Sequence, residues 1–228
     1  MWNESTLQGL GMLPLYMTST FYKNFDKKLK QNFLRYFLKE NRQVDRRLKR
    51  ALKAALRASI KRFKRSAVNE CTVGTITQVT ISDEIFPFDY DDVNQFNSCL
   101  SAAVVRDNLE AITEKVDQEE YLQVVLGKLR EVYSTVPEDQ VQLLGPASRV
   151  ATAADVSAWA VTQIDTLASL MNPANGPWDP SLAKAVVSRY LSHAGNQLGG
   201  DELNSVGGAN LCALDVDVLR NISQQSIR

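Results

Sequence analysis

Residues 135–173 read TVPEDQVQLLGPASRVATAADVSAWAVTQIDTLASLMNP. Three times a threonine stands three places before an acid: Thr135 and Glu138, Thr152 and Asp155, Thr162 and Asp165. Each pair has the form of a capping box, in which hydroxyl and carboxylate satisfy the free N–H groups opening a helix. Downstream, Asp179 followed by Pro180 predicts another start, with an acid at the N-cap and proline at the first helical position. The units end on Gly145-Pro146, Asn172-Pro173, Gly195-Asn196 and Gly207-Gly208, where Gly207-Gly208 reads as a helix C-cap rather than a ligand loop. Helices this short cannot each bury a face alone, so they must stack on neighbours. The spacing predicts an all-α fold, a right-handed superhelical stack of helix pairs, or α-solenoid.

Helical periodicity continues towards the N-terminus. Val93, Phe96, Leu100, Val104 and Val105 follow steps of three and four, as do Tyr121, Val124, Val125, Leu129, Val132 and Tyr133. Between residues 20 and 65 two helices are expected to meet near Asn41. The first carries Phe21, Phe25, Leu29, Phe33, Tyr36 and Phe37, and the second Val44, Leu48, Leu52, Ala55, Leu56, Ile60 and Phe63. The β-branched run from Thr72 to Ile81 breaks this pattern and predicts one extended segment, strand or ordered loop, within residues 71–90 and ending near Pro87.

The 228 residues, 44% apolar and 23% charged, have the composition of a globular chain with a formal net charge of zero. That zero conceals a partition. Residues 23–65 hold 17 Lys or Arg against three acids, a net of +14, whereas residues 66–228 hold 9 against 22, a net of −13. So abrupt a change marks a boundary, here between a basic region 1–65 and an acidic body 66–228. No apolar run suffices to span a bilayer, and the first residues show no export signal.

Catalysis finds no support. One histidine, His193, and three well-separated cysteines, Cys71, Cys99 and Cys212, form no metal-binding or nucleophile motif, and no glycine-rich phosphate loop is present. No catalytic residue, metal ligand or cofactor is therefore expected.

The basic stretch 42–65 admits three readings. Its cations could lie on an anionic membrane or a nucleic-acid backbone in an intracellular protein. Alternatively, it is a solvated helix face packed on the preceding aromatic helix. Third, Arg62-Phe63-Lys64-Arg65 before Ser66 fits the Arg-x-Lys-Arg pattern cut by secretory proprotein convertases, and it falls where the charge changes sign. The cysteines leave the choice open: Cys71 and Cys99 could close a loop of 28 residues or remain buried thiols. In an exported protein Cys212 would need a partner beyond Arg228. Two sequons, at Asn3 and Asn221, agree with export as glycosylation sites.

Several stretches together resemble the mesothelin family around its maturation cleavage. They include Leu10 to Leu15 (LGMLPL), the basic helix with Arg62 to Arg65, and Cys71. Further landmarks follow in order: Asn97 to Ala103 (NSCLSAA), Val136 to Val141 (VPEDQV), Asp155 to Trp159 (DVSAW) with Thr162 to Leu170, and Gly208 to Leu214 (GANLCAL). The resemblance implies an extracellular superhelix of armadillo-like repeats, held at the cell surface by a glycosylphosphatidylinositol anchor and acting in cell–cell or cell–matrix adhesion. Otoancorin and stereocilin are relatives. It also implies convertase cleavage after Arg65, a disulfide between Cys71 and Cys99, and partners among mucin-like glycoproteins or matrix, with no nucleic acid. The family's signal peptide and anchor signal are absent here, so the chain is expected to be a fragment: the end of a propeptide, 1–65, and the first part of a mature protein, 66–228.

Overall fold

The structure is a computed structural model that describes residues 3–60, 70–220, 222 and 226. It is all-α: among the described residues the only β pairing is one isolated parallel bridge, between Val136 and Trp159. Two compact units form, Met1–Leu100 and Ser101–Arg228.

In the first unit, helices Lys27–Glu40 and Arg46–Ala58 are the two long elements, and Asn41 ends the first of them. Asp26 and Asp45 cap their N-termini by accepting from the backbone N–H groups of Leu29 and Arg47. Phe33, Leu34, Phe37 and Leu38 from one helix and Leu52 and Leu56 from the other are buried in a common core with Leu7, Leu15, Tyr22 and Phe25. The buried Lys30 donates from Nζ to the Ser59 carbonyl, placing a cation at the C-terminal end of the basic helix.

The expectation of extended backbone over residues 72–81 needs correction. It holds only as far as Thr77, which caps helix Gln78–Ser82 through a reciprocal hydroxyl box with Thr80. β-Branched residues disfavour a helix only slightly, and a good cap over five residues outweighs that. Turns occupy 83–89, including a cis Phe86–Pro87 bond, before helix Val93–Cys99.

The second unit is a succession of short elements. Helix Glu119–Val132 packs against Ala102–Asp107 on one side and the 3-10 turn Gly145–Val150 on the other. Beyond it, Glu138–Val141 meets Ile164–Met171, Ala153–Ser157 meets Pro180–Leu191, and Ile164–Met171 meets Gly200–Val206. Each element is thus buried by one a little further along the chain, the solenoid-like arrangement that the short capped helices require. Gly207, at φ 74°, closes Gly200–Val206 in the left-handed region as the C-cap reading required.

One of the three expected capping boxes is present as such, Thr152 with Asp155. The other two pairs are used differently. Helix Ile164–Met171 begins after Gln163 with no cap from its own sequence, and Glu138 of an earlier helix accepts from the N–H groups of both Thr162 and Gln163. A carboxylate from the neighbouring layer has replaced the local one. Asp179 behaves as read, accepting from Ser181 and Leu182 ahead of Pro180.

Candidate functional site

In the first unit the residues of chemical interest converge on the turn 83–91. Residues 83–92 contain five acids, Asp83, Glu84, Asp89, Asp91 and Asp92, interleaved with Ile85, Phe86, Phe88 and Tyr90. On one side, Phe86 and Tyr90 pack with Phe96, the ring centroids lying 6.2–6.4 Å apart. Burial, then the charge of Asp89, raises the Tyr90 hydroxyl above its ordinary pKa, and that hydroxyl donates to the Gly74 carbonyl at 2.9 Å. Ile85 and Phe88 point the other way, into the core built by residues 7–56.

A disulfide between Cys71 and Cys99 ties the base of this loop, with Cα atoms 4.7 Å apart. Beside it the buried Gln95 accepts from the Thr72 N–H and hydroxyl and donates to the Glu70 carbonyl. Ile76 donates to the Cys99 carbonyl. Several backbone groups of this segment thus find partners although, among the described residues, no strand accompanies it.

The acidic residues face cations from the basic region. Arg35 forms a two-pronged ion pair with Asp83, at 2.9 Å and 3.4 Å, Lys27 pairs with Asp91 at 3.3 Å, and Arg42 approaches Glu84 at 4.0 Å. Gln31 donates to Asp89. Lys27, Gln31 and Arg35 lie four residues apart, so one helix face supplies three of these contacts. The Arg57 guanidinium lies 5.9 Å from the centre of the Phe88 ring. A cavity of about 280 Å³ opens against the same turn, lined by Val79, Thr80, Asp83, Phe86, Pro87 and Tyr90 among others.

The remaining expected sites are distributed as follows. Arg62, Lys64, Arg65, Ser66 and Asn221 lie outside the described residues. Asn3 is exposed, and its Oδ1 caps helix Glu4–Gln8 by accepting from Thr6. Cys212 is exposed and free. Among the described residues no cluster of His, Cys, Asp and Glu could hold a metal ion. The apolar stripe of the basic helix is committed to the core through Leu52 and Leu56, so in the folded unit it packs on the aromatic helix as the second reading held. Sequence reading missed the acidic turn as a site because the cations that pair with it lie 42 to 64 residues away; the run of five acids was the available signal.

Comparison with known proteins gives a coherent result. The mesothelin family profile matches residues 1–227. The mouse (Mus musculus) mesothelin-like protein is 29% identical over 235 residues, covering 100% of this chain and 34% of its own. The human (Homo sapiens) mesothelin-like protein is 28% identical over 158 residues, covering 69% of this chain and 22% of its own. Mouse mesothelin is 25% identical over 215 residues, 93% of this chain and 32% of that protein. The chain therefore spans between 22% and 34% of the length of these relatives.

Proposed function

Because the chain belongs to the mesothelin family over residues 1–227, we propose that it is a non-enzymatic adhesion module of an extracellular, cell-surface protein. The family match carries this reading, and the disulfide between Cys71 and Cys99 supports it, since such bridges persist outside the reducing cytosol. The partner we propose is a mucin-like glycoprotein or matrix component, met over an extended face of stacked helices. Binding then rests on many modest contacts, and single substitutions weaken it without abolishing it. Maturation is by a proprotein convertase cutting after Arg65, with Arg62 and Lys64 completing the recognised pattern and Ser66 opening the product. Among the described residues no helix is long and apolar enough to cross a membrane; the attachment we propose is a glycosylphosphatidylinositol anchor. Asn3 and Asn221 carry the glycans.

Two experiments test the reading. Beads coated with the secreted chain are applied to epithelial monolayers, where retention is expected and is reduced by enzymatic removal of surface O-glycans. Retention on no monolayer, or equal retention of a denatured chain, overturns the adhesive role. For processing, wild type is expected to give two fragments in secretory cells and Arg65→Ala a single chain; an unchanged fragment pattern rejects cleavage at that position.

A further inference from the structure

We propose that Asn97 is a further acceptor for an N-linked glycan, of the Asn-x-Cys kind, and that closure of the bridge between Cys71 and Cys99 shuts it. This rests on the extracellular reading above only for the encounter with the glycan-transferring enzyme.

All three cysteines of the chain stand two places after an asparagine: Asn69-Glu70-Cys71, Asn97-Ser98-Cys99 and Asn210-Leu211-Cys212. Asparagine supplies only 14 of the 228 residues, so composition does not account for three coincidences in three. The enzyme that modifies Asn-x-Ser and Asn-x-Thr reads the hydrogen-bonding group on the third residue. A thiol offers one weak S–H donor and serves less well than a hydroxyl, whereas a disulfide sulfur has no hydrogen to donate. Each acceptor therefore competes with the pairing of its own cysteine.

At Asn97 the structure holds the bridged outcome. Cys99 is bonded to Cys71 and 2% exposed, while Asn97 is exposed on the same helix, Val93–Cys99. Residues two apart on a helix do not face each other, so the folded unit never presents that amide and that sulfur together. The acceptor is open only before the helix forms and the bridge closes. Because Asn97 faces solvent, the folded unit accommodates a glycan added earlier, and Cys99 can still pair afterwards. A glycan there records late closure of the loop. Asn210 supplies the contrast: Cys212 is free and exposed, and the Asn210 amide donates to the Val206 carbonyl at 2.8 Å. Asn69 lies outside the described residues.

In the transfer, Asn97 Nδ2 forms a bond to C1 of a lipid pyrophosphate-linked oligosaccharide. The bond from C1 to the pyrophosphate oxygen breaks, the lipid pyrophosphate leaves with the electron pair, and the amide gives up one proton. Bridge closure instead takes two electrons and two protons from the two thiols, by exchange with a disulfide-bearing oxidoreductase.

The test expresses the full chain behind a supplied signal peptide in secretory cells, so that entry to the lumen does not depend on the native address. An amidase removes the glycans and leaves aspartate at each occupied position, and peptide masses give the occupancy. In wild type Asn97 is expected to be almost unoccupied. Cys71→Ala frees the Cys99 thiol and should raise that occupancy at least several-fold; alanine is used because serine would create an Asn-x-Ser acceptor at Asn69. Cys99→Ala should abolish it, and Cys99→Thr should bring it near completion. Reductant given to the cells during synthesis should raise wild-type occupancy as Cys71→Ala does. At Asn210 equal occupancy is expected in wild type and Cys71→Ala, which separates a freed thiol from general misfolding. The inference is overturned by an unmodified Asn97 in Cys71→Ala or Cys99→Thr, by equal occupancy in Cys71→Ala and Cys99→Ala, or by a parallel rise at Asn210. None of these outcomes bears on the adhesive role, which the bead assay tests by itself.

Discussion

The two units are both helical, yet they are held together by different means. In the first, the polar contacts between helix Lys27–Glu40 and the acidic turn span long intervals: Arg35 to Asp83 is 48 residues, Gln31 to Asp89 is 58 and Lys27 to Asp91 is 64. The core beneath them is aromatic and aliphatic, with the bond from Lys30 to the Ser59 carbonyl as a buried polar contact. In the second, many bonds between elements fall within a narrower band, although Tyr190 reaches Glu202 over only 12 residues. Gln142–Thr166 and Glu138–Thr162 are 24 residues apart, Arg130–Asp155 25, Arg149–Gly176 27, Arg189–Trp159 30 and Asn196–Thr162 34. In these pairs each layer is capped or clamped by the next. A stack needs only its neighbours, whereas the first unit closes on itself across the interval 61–69.

Polar clamps in the second unit are extensive. Arg149 is half-buried with no carboxylate paired to it among the described residues, and desolvation lowers its pKa to about 10. It donates to the carbonyls of Gly176 and Asn172 and to Ser148 Oγ, and lies 4.3 Å from the Trp178 ring. Trp178 in turn donates to the Leu170 carbonyl. Short helices leave many free carbonyls and N–H groups, and here side chains from adjacent layers satisfy them.

The contrast can be broken from either side. The largest effect is expected from Phe88→Ala, about 3 to 5 kcal/mol, because it empties a position in the long-range core. Hydrogen exchange should show faster opening in Leu34, Phe37 and Leu56 with residues 119–171 unchanged; uniform acceleration in both regions would contradict the division. Replacing both Cys71 and Cys99 by serine should cost about 3 to 4 kcal/mol on the loop-entropy account for a separation of 28 residues, again confined to the first unit. Denaturant unfolding with and without reductant measures it.

Asp155→Ala should loosen the second unit by about 2 to 3 kcal/mol, since it strips partners from Arg130 and from the Thr152 N–H and hydroxyl together. The readout is exchange at residues 152–158. The same carboxylate sets a pH dependence. Burial pushes Asp155 upward, but hydrogen bonds from Thr152 and Arg130 outweigh it and hold the acid below its ordinary range. Glu138 is likewise held down against burial by Thr162 and Gln163. Their stabilisation is complete above the unfolded value near about 4 and drains as the pH falls through the folded values. Acid titration should loosen the second unit accordingly, and Asp155→Asn should flatten that limb. Last comes Arg35→Ala, expected to cost under about 1 kcal/mol because the pair is exposed.

Much of this was legible in the linear chain because it is local. The break near Asn41, the Asp179-Pro180 start and the Gly207 stop depend on residues within one or two turns and take the expected form, whereas the expected helix from residue 20 is split into Ser19–Tyr22 and Lys27–Glu40, and the Val93–Val105 spacing falls on Val93–Cys99 and Ala102–Asp107. The charge partition could be counted directly, and the bridge between Cys71 and Cys99 came from the family resemblance rather than from spacing. What the tertiary structure decided is where long-range partners are found. Glu138 satisfies Thr162 and Gln163 instead of closing its own box with Thr135, Thr77 opens a helix inside a β-branched run, and the basic face meets the acidic turn of its own unit. Periodicity reports which face of a helix is apolar. Only packing determines which of several carboxylates, all chemically competent, reaches a given N–H or guanidinium first.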